Sequence, residues 1–354
     1  MSSSNAGVLR SIFFLTIICV LFVLLANLLP LGPDYLYVFR PIAESFLRGE
    51  TRLYDENSTG YYNLPWLIFV FLPMTFLPLH YGQALLSILS LLGLVMAIAA
   101  ISVQNRLNFL IFTLAIANLH TLDLLIRGNV DGLLALGLGL TWFGILRKNP
   151  FLLGCGLWIL SVKPINILFT VPVFVRLTWH WSLREKLLSI SPLAVTFVLS
   201  FLIFGFDWPV RYIQVANETP PLTFLQTSLW RAFEFYGLQR QYALFLFPIV
   251  LIVFSLVVIK LKNMDAMVLS LVLSANMVFS PYTLGSHYVI LSPVFVVLAQ
   301  KSNWFIALWV LTLTPILRLV AGSEVAWLDI FYPVAMMLGT TYFVFRSQKY
   351  FSDL

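Results

Sequence analysis

The chain has 354 residues, of which 60% are hydrophobic and 10% are charged, and its mean hydropathy is +0.93. A soluble domain is about half apolar and about a quarter charged, so this composition excludes an ordinary soluble domain. The net charge of +6 is better explained by Lys and Arg at the ends of membrane helices than by a nucleic-acid surface. We therefore expect an all-α, polytopic membrane domain that covers residues 1–354, with the lipid bilayer as a partner and no nucleic acid.

Apolar segments recur along the whole chain. They cover residues 11–30, 65–79, 82–103, 108–126, 129–146, 150–161, 165–178, 187–206, 241–262, 266–282, 287–300, 304–320 and 327–345. Because one crossing needs roughly 20 apolar residues, these segments predict about 12 crossings, with both termini in the cytoplasm. Residues 65–103 are expected to make one net crossing, because Pro65, Pro73 and Pro78 interrupt the first part.

The positions of Lys and Arg assign the sides of the membrane. Basic turns such as Arg147-Lys148, Lys260 and Lys301 are cytoplasmic by the positive-inside rule. The two longest polar loops, 32–64 and 207–241, then lie on the extracytoplasmic side. We predict a location in the plasma membrane, with the functional site on the outer side.

Asp34 is the first candidate for chemistry. It follows the first apolar segment directly, and acidic groups at membrane depth tend to be functional. The alternative is an acid that is simply solvated just outside a span. Residues 37–47 alternate apolar and charged side chains, which predicts a short amphipathic helix at the interface.

Three tyrosines of the first outer loop are candidates for substrate contacts. Tyr35 follows Asp34, and the pair Tyr61-Tyr62 precedes the Pro-rich segment. The alternative is an interfacial aromatic belt, where Tyr and Trp commonly lie.

Polar residues also interrupt the later apolar segments. Arg127 and Asn129 flank Gly128, Lys163 precedes a proline, and His287 lies in a stretch rich in Ser, Pro and Gly. Two cations at an outer cavity suit a phosphate, and the alternative is that each reaches towards lipid headgroups. A lone histidine is more often a hydrogen-bonding group than a catalyst.

The order of these motifs resembles a known enzyme family. An outer-loop Asp is followed by tyrosines, by the stretch 43–49, by Leu53-Tyr54 and by Tyr62-Asn63-Leu64-Pro65. Later come Gly128-Asn129-Val130-Asp131, Lys163-Pro164, Ser280-Pro281 and His287-Tyr288. This pattern resembles the polyprenyl-phosphate-sugar-dependent glycosyltransferases of the GT-C superfamily, and in particular the mannosyltransferase-like glycosyltransferase family 87. The family often has Gly-Gln-x-Asn where this chain has Gly128-Asn129-Val130-Asp131, which leaves the roles of Asn129 and Asp131 open.

The resemblance implies a GT-C-like helical fold with a long first extracytoplasmic loop. It implies transfer of a hexose, with mannose expected, from a polyprenyl-phosphate donor to a hydroxyl of a lipid or glycan acceptor, with inversion. Asp34 would be the general base, and Lys163 and His287 would lie near the donor phosphate. No metal and no cofactor is expected, because the protein's own cations can stabilise a leaving phosphate.

Two other functions are compatible with the sequence. A transporter or flippase of a lipid-linked glycan would show internal repeats and paired broken helices, and none is visible in the sequence. A non-catalytic assembly factor of a glycan pathway would keep the fold without needing the base at Asp34.

Overall fold

The computed structural model describes residues 3–54, 61–102, 108–218, 226–237 and 239–350. Within those ranges every regular element is helical and none is a strand, so the all-α prediction is confirmed for this part of the chain. The α-helices are α1 Ser3–Leu28, α2 Arg40–Leu47, α3 Ile68–Thr75, α4 Leu79–Ile101, α5 Phe109–Ile116, α6 Leu119–Arg127, α7 Asp131–Leu146, α8 Pro150–Leu160, α9 Val171–Thr178, α10 Leu183–Phe204, α11 Trp208–Glu218, α12 Leu229–Phe235, α13 Arg240–Lys260, α14 Ala266–Phe279, α15 Ser292–Lys301, α16 Pro315–Ala321 and α17 Phe331–Tyr350.

Short helical turns of other types connect these helices. Tyr35–Phe39 is a π-helical turn, a rare element that is frequent at functional sites. The 3₁₀ turns are Pro65–Leu67, Pro164–Asn166, Leu168–Thr170, Gly285–Leu291, Asn303–Leu313 and Ser323–Ile330. Most of them begin or end at the polar interruptions of the apolar segments.

Several helices could cross a membrane. By length and composition, the described residues contain four such helices, namely Ser11–Leu28, Leu79–Ile101, Leu183–Phe204 and Val325–Ser347. A fifth candidate is the pair α5 and α6, which bends by 41° at the break between them. Most apolar side chains of α1 and α10 are exposed, as expected for surfaces in contact with lipid. The finer prediction of about 12 crossings stays a prediction.

The Pro-rich part of 65–103 forms a short helix. Pro65–Thr75 has a length of about 16 Å, which is half of the roughly 30 Å hydrocarbon core. The helix α4 that follows has 23 residues and is a full-length candidate span. These lengths fit the prediction of one net crossing in this segment.

The predicted amphipathic helix at 37–47 is present as the π-helical turn and α2. Its Phe39 and Ile42 are buried, whereas Tyr37 is 69% exposed. Arg40 fixes α2 to the end of α3, because its guanidinium donates to the carbonyl oxygens of Met74, Thr75 and Leu77 at 2.7–3.3 Å. These carbonyls are left over at the end of a helix and need such donors.

The second outer loop is not a loop throughout. Residues 207–241 contain α11, α12 and the start of α13. Trp208 is buried with its indole in edge contact with Trp66, at 6.3 Å between ring centroids. The hydroxyl of Tyr212 donates to the carbonyl of Tyr62 at 3.3 Å. The two predicted outer loops therefore pack against each other through aromatic side chains.

Small residues allow the central helices α4, α7 and α8 to approach closely. A Cβ atom added at Gly132 would overlap the backbone and side chain of Ser90 in α4, and one added at Gly156 would overlap Thr141. Helix contacts of this kind replace the hydrophobic driving force that is absent between helices in lipid. The close packing fixes the start of α7, where the polar residues of the candidate site lie.

Candidate active site

A glutamine of α4 joins the first loop to the end of α6. Gln83 is buried; its Oε1 accepts from Gly32 N at 2.8 Å, and its Nε2 donates to the carbonyls of Pro30 and Leu125 at 3.0 and 3.2 Å. No side chain fits at Gly32, because a Cβ there would overlap the backbone of Arg127. The segment that precedes Asp34 is thereby held against the end of α6.

Gly128 ends α6 in the left-handed conformation, with φ of 65°. Glycine is favoured in this position, which reverses the chain after a helix. The turn brings Asn129 to the start of α7. The Oδ1 of Asn129 accepts from the backbone N–H of Val130 at 2.6 Å, which fixes the orientation of its amide.

A continuous line of polar contacts joins Asp34 to Asp131. Asn129 Nδ2 donates to Asp34 Oδ2 at 2.7 Å. Lys163 Nζ donates to Asn129 Oδ1 at 2.9 Å and to the two carboxylate oxygens of Asp131 at 3.2 and 3.3 Å. The structure thus brings together Asp34, Asn129 and Lys163, three of the residues singled out from the sequence.

Asp131 is the buried end of this line. Its side chain is fully buried and forms an ion pair with Lys163, and it accepts from Asn166 Nδ2 at 3.3 Å. His287 Nε2 lies 3.5 Å from Asp131 Oδ2. A buried carboxylate needs such partners, because isolated burial of its charge is very costly.

The loop that carries Lys163 is held by α14. Asn276 is buried; its Oδ1 accepts from Phe169 N at 3.1 Å and its Nδ2 donates to Ile165 O at 3.1 Å. The side chain thereby satisfies backbone groups of a segment that has no continuous helix. Lys163 and Asn166 are consequently presented to Asp131 from a fixed backbone.

His287 belongs to the buried side of the site. Its Nδ1 accepts from Leu284 N at 3.3 Å, and only 1% of the residue is exposed. The ring of Tyr282 lies 5.6 Å from the imidazole, and Tyr282 is close enough to Asp34, Asp131 and Arg127 for their charges to act on it. The segment 280–288 therefore contributes Tyr282 and His287 to the surroundings of the site.

Asp34 has a different environment, because it is only partly buried. Burial is the largest influence on its pKa and raises it above the usual value, while the charges of Lys163 and Arg127 and the hydrogen bond from Asn129 lower it. Within the described residues, its second carboxylate oxygen makes no hydrogen bond. Asp34 can therefore accept a hydrogen bond from an incoming hydroxyl.

Arg127 has a similar reserve of hydrogen-bonding capacity. Its Nε pairs with Asp123 Oδ1 at 3.0 Å, and the side chains are 19% and 20% exposed. Neither terminal nitrogen of the guanidinium makes a hydrogen bond within the part of the chain that the structure describes. Lys163, in contrast, uses its three N–H donors on three protein oxygens. Arg127 thus has donors available for an anion, whereas the family resemblance implied that Lys163 lies near the donor phosphate.

The three tyrosines take different places. Tyr35 is fully buried against Gly82 and Phe71, and the buried Tyr61 donates its hydroxyl to Leu64 O at 3.0 Å. In this conformation both pack the first loop and present no surface to a substrate. Tyr62 is partly exposed and lies near Tyr282, so of the three it is the one at the site.

Sequence reasoning missed Asn166 and Tyr282 and left Asp131 open. Asn166 lies three residues after Lys163, a spacing that places both on one side of a 3₁₀ turn, and this signal could have found it. Asp131 stands at the start of α7, where an acid is also favoured by the helix dipole. Among the described residues, no three His, Cys, Asp or Glu side chains form a group that could hold a metal ion.

No protein-family model, no curated protein and no solved structure matches this chain. What the site does must therefore be argued from its own residues.

Proposed function

We propose that this chain is a membrane glycosyltransferase of the GT-C type, with about 12 crossings and an active site on the extracytoplasmic side of the plasma membrane. It transfers a hexose, with mannose expected, from a polyprenyl-phosphate donor to a hydroxyl of a lipid or glycan acceptor. The observation that carries the proposal is the partly buried Asp34 beside the cations Lys163 and Arg127; one of its carboxylate oxygens accepts no hydrogen bond from any residue that the structure describes.

Asp34 is the general base in this proposal. The acceptor hydroxyl gives its proton to the carboxylate while its oxygen forms a bond to the anomeric carbon of the sugar. The bond between that carbon and the phosphate oxygen breaks, and the phosphate leaves with the electron pair. Attack from the face opposite the phosphate inverts the anomeric carbon. A positioned base of this kind contributes about 10²–10⁴-fold to the rate.

Arg127 is the group proposed to stabilise the leaving phosphate. Its two terminal nitrogens make no hydrogen bond to the described residues, and such a guanidinium matches the geometry of phosphate oxygens. The ion pair with Asp123 holds the Nε edge of the Arg127 guanidinium, and the two terminal nitrogens face the ligand in this proposal. Charge that develops on the phosphate as the bond breaks is then met by a preorganised cation.

Lys163 and His287 act less directly than the family resemblance implies. Lys163 holds Asn129, and Asn129 orients the carboxylate of Asp34. His287 is buried against Asp131 and supports the same arrangement. Their proposed role is to position the base and to fix the local charge, through contacts that do not require the substrate.

The test is transfer of radiolabelled mannose from polyprenyl-phosphate mannose in membranes that contain the chain and supply endogenous acceptors. The comparison is between the wild type, Asp34→Asn and a matched control, Asp207→Asn. Asp207 is an exposed acid that pairs with Arg211 at 2.7 Å, so the control loses a carboxylate without touching the site. We expect labelled product with the wild type and the control but not with Asp34→Asn.

Other outcomes would favour the other functions. Movement of the labelled lipid across a vesicle membrane, without a new labelled product, would support a transporter or flippase. Neither transfer nor movement, together with loss of a glycan when the chain is deleted, would support an assembly factor. Full transfer activity in Asp34→Asn would remove the base from the mechanism.

A further inference from the structure

Among the buried side-chain atoms that find no hydrogen-bond partner within the described residues, four belong to the segments 226–228 and 283–286. They are Gln226 Nε2, Ser228 Oγ, Thr283 Oγ1 and Ser286 Oγ. Each of these residues is at most 2% exposed. All four side chains are neutral, and together they offer both donors and acceptors.

These atoms belong to two segments that are bonded to each other. Thr227 N and Oγ1 donate to the carbonyl of Thr283 at 2.9 and 3.3 Å, and the hydroxyl of Tyr288 donates to the carbonyl of Thr227 at 2.7 Å. The second segment continues from Ser286 into His287, whose imidazole lies against Asp131. The neutral groups are therefore adjacent to the charged part of the site.

Such a concentration of unpartnered groups has a physical cost. Each buried polar atom without a hydrogen bond is strongly disfavoured, and native proteins satisfy nearly all of them with protein, water or a ligand. Ser228 does not form the hydrogen bond to its own helix that its position would allow. It stands immediately before α12, where a serine normally accepts from a backbone N–H of the first turn, but its side chain makes no such bond.

We propose that the segments 226–228 and 283–286 form a binding site for a neutral polyol, which is the transferred sugar. This inference rests on the proposed function and names the part of the site that recognises the sugar. Hydroxyl groups of a sugar both donate and accept, so they match side chains of Ser, Thr and Gln. The division is chemical: charged residues face the phosphate and the reacting hydroxyl, and neutral hydroxyls hold the sugar ring.

The experiment compares two lipids, polyprenyl-phosphate mannose and polyprenyl phosphate without a sugar. Binding of each is measured to the purified full-length wild type and to the variants Thr283→Val and Ser286→Ala. The matched control is Thr141→Val, because Thr141 also has a fully buried hydroxyl without a partner among the described residues, but it belongs to α7 and faces Gly156 of α8. Main-chain contacts of Thr283 survive the change, and thermal unfolding verifies that each variant is folded.

We expect each site variant to bind the mannosyl lipid about tenfold more weakly, the effect of losing one good hydrogen bond. Affinity for the sugar-free lipid should stay unchanged, and the control should behave as the wild type with both lipids. Equal affinity of wild type and site variants for the mannosyl lipid would overturn the inference and indicate bound water. An equal loss for both lipids would also overturn it. If the wild type transfers no sugar but its binding follows the expected pattern, the proposed function fails and the polyol site stands.

Discussion

Asp34 and Asp131 are carboxylates at the two ends of one line of contacts, joined through Asn129 and Lys163. Asp131 is fully buried, pairs with Lys163 and accepts from Asn166, and the imidazole of His287 lies 3.5 Å away. Asp34 is partly exposed, and among the described residues it accepts one hydrogen bond, from Asn129, and has one oxygen without a partner. The difference in environment separates their roles: a fully engaged carboxylate organises a site, and an incompletely engaged one can react.

The largest effect is expected for Asp34→Asn. Asparagine keeps the size and polarity of the side chain but cannot take a proton. Transfer should fall by about 10²–10⁴-fold, while the unfolding temperature stays that of the wild type. The measurement is the rate of mannose transfer at matched protein content, with Asp207→Asn as the control. Transfer within a factor of about two of the wild type would place the base elsewhere, since that factor is under 0.5 kcal/mol in barrier.

The main effect expected of Asp131→Asn is a lower stability of the folded protein. The change leaves Lys163 as a buried cation without its counter-ion, and removal of one partner of a buried pair costs about 3–5 kcal/mol. The double variant Asp131→Asn/Lys163→Met removes both charges and should recover part of the loss. Thermal unfolding of the purified proteins measures both. A double variant that is less stable than the single one would show that the pair is not the main contribution of Asp131.

Arg127→Gln should weaken donor use while the fold is kept. It removes the cation whose terminal nitrogens are unengaged, so the KM for polyprenyl-phosphate mannose should rise by about tenfold or more, as for a charge-assisted hydrogen bond. Arg211→Gln is the matched control, because Arg211 also pairs with an aspartate four residues earlier. An unchanged KM in Arg127→Gln would leave Arg127 as a headgroup contact.

The smallest effect concerns pH. The proposed mechanism requires an ionised Asp34, so we expect the rate to fall as the pH drops through its pKa, which burial raises above the usual value. Asp131 raises this pKa and Lys163 lowers it more strongly. In a plot of rate against pH, the fall in rate at acidic pH should therefore occur at a lower pH in Asp131→Asn than in the wild type. In Asp131→Asn/Lys163→Met it should occur at a higher pH. A shift of the acidic limb in the same direction in both variants would contradict the assignment of Asp34 as the titrating base.

The sequence allowed the helical class and the interruptions at Lys163 and His287 to be predicted, because hydropathy and Pro or Gly mark where apolar helices stop. It did not reveal which way a side chain faces. Tyr35 and Tyr61 are of the residue type that is common in an interfacial aromatic belt, yet both are buried. Tyr35 is directed inward by the π-helical turn, and Tyr61 by the hydrogen bond from its hydroxyl to Leu64 O. Orientation of this kind depends on tertiary packing, which local patterns do not encode.

The same limit applies to the charged residues. A lysine between two apolar segments predicts a functional or paired cation, but not its partner. That partner, Asp131, comes from a helix 32 residues earlier, and their meeting depends on the packing of α7 against its neighbours. Arg127 has the simpler sequence context of an i,i+4 pair with Asp123, and the terminal nitrogens that this pair leaves over became visible only in the structure.

Gln83 connects the site to a helix that is a candidate membrane span. It bonds three backbone groups, at Pro30, Gly32 and Leu125, from a position one turn inside α4. Since α4 is a candidate span of 23 residues, a bilayer that is too thin or too thick for it would tilt this helix and pull on both segments that align Asp34 with Asn129. We therefore expect the rate of the proposed reaction to depend on the length of the lipid acyl chains. Transfer measured in vesicles of graded acyl length should pass through an optimum, and Gln83→Ala should flatten it.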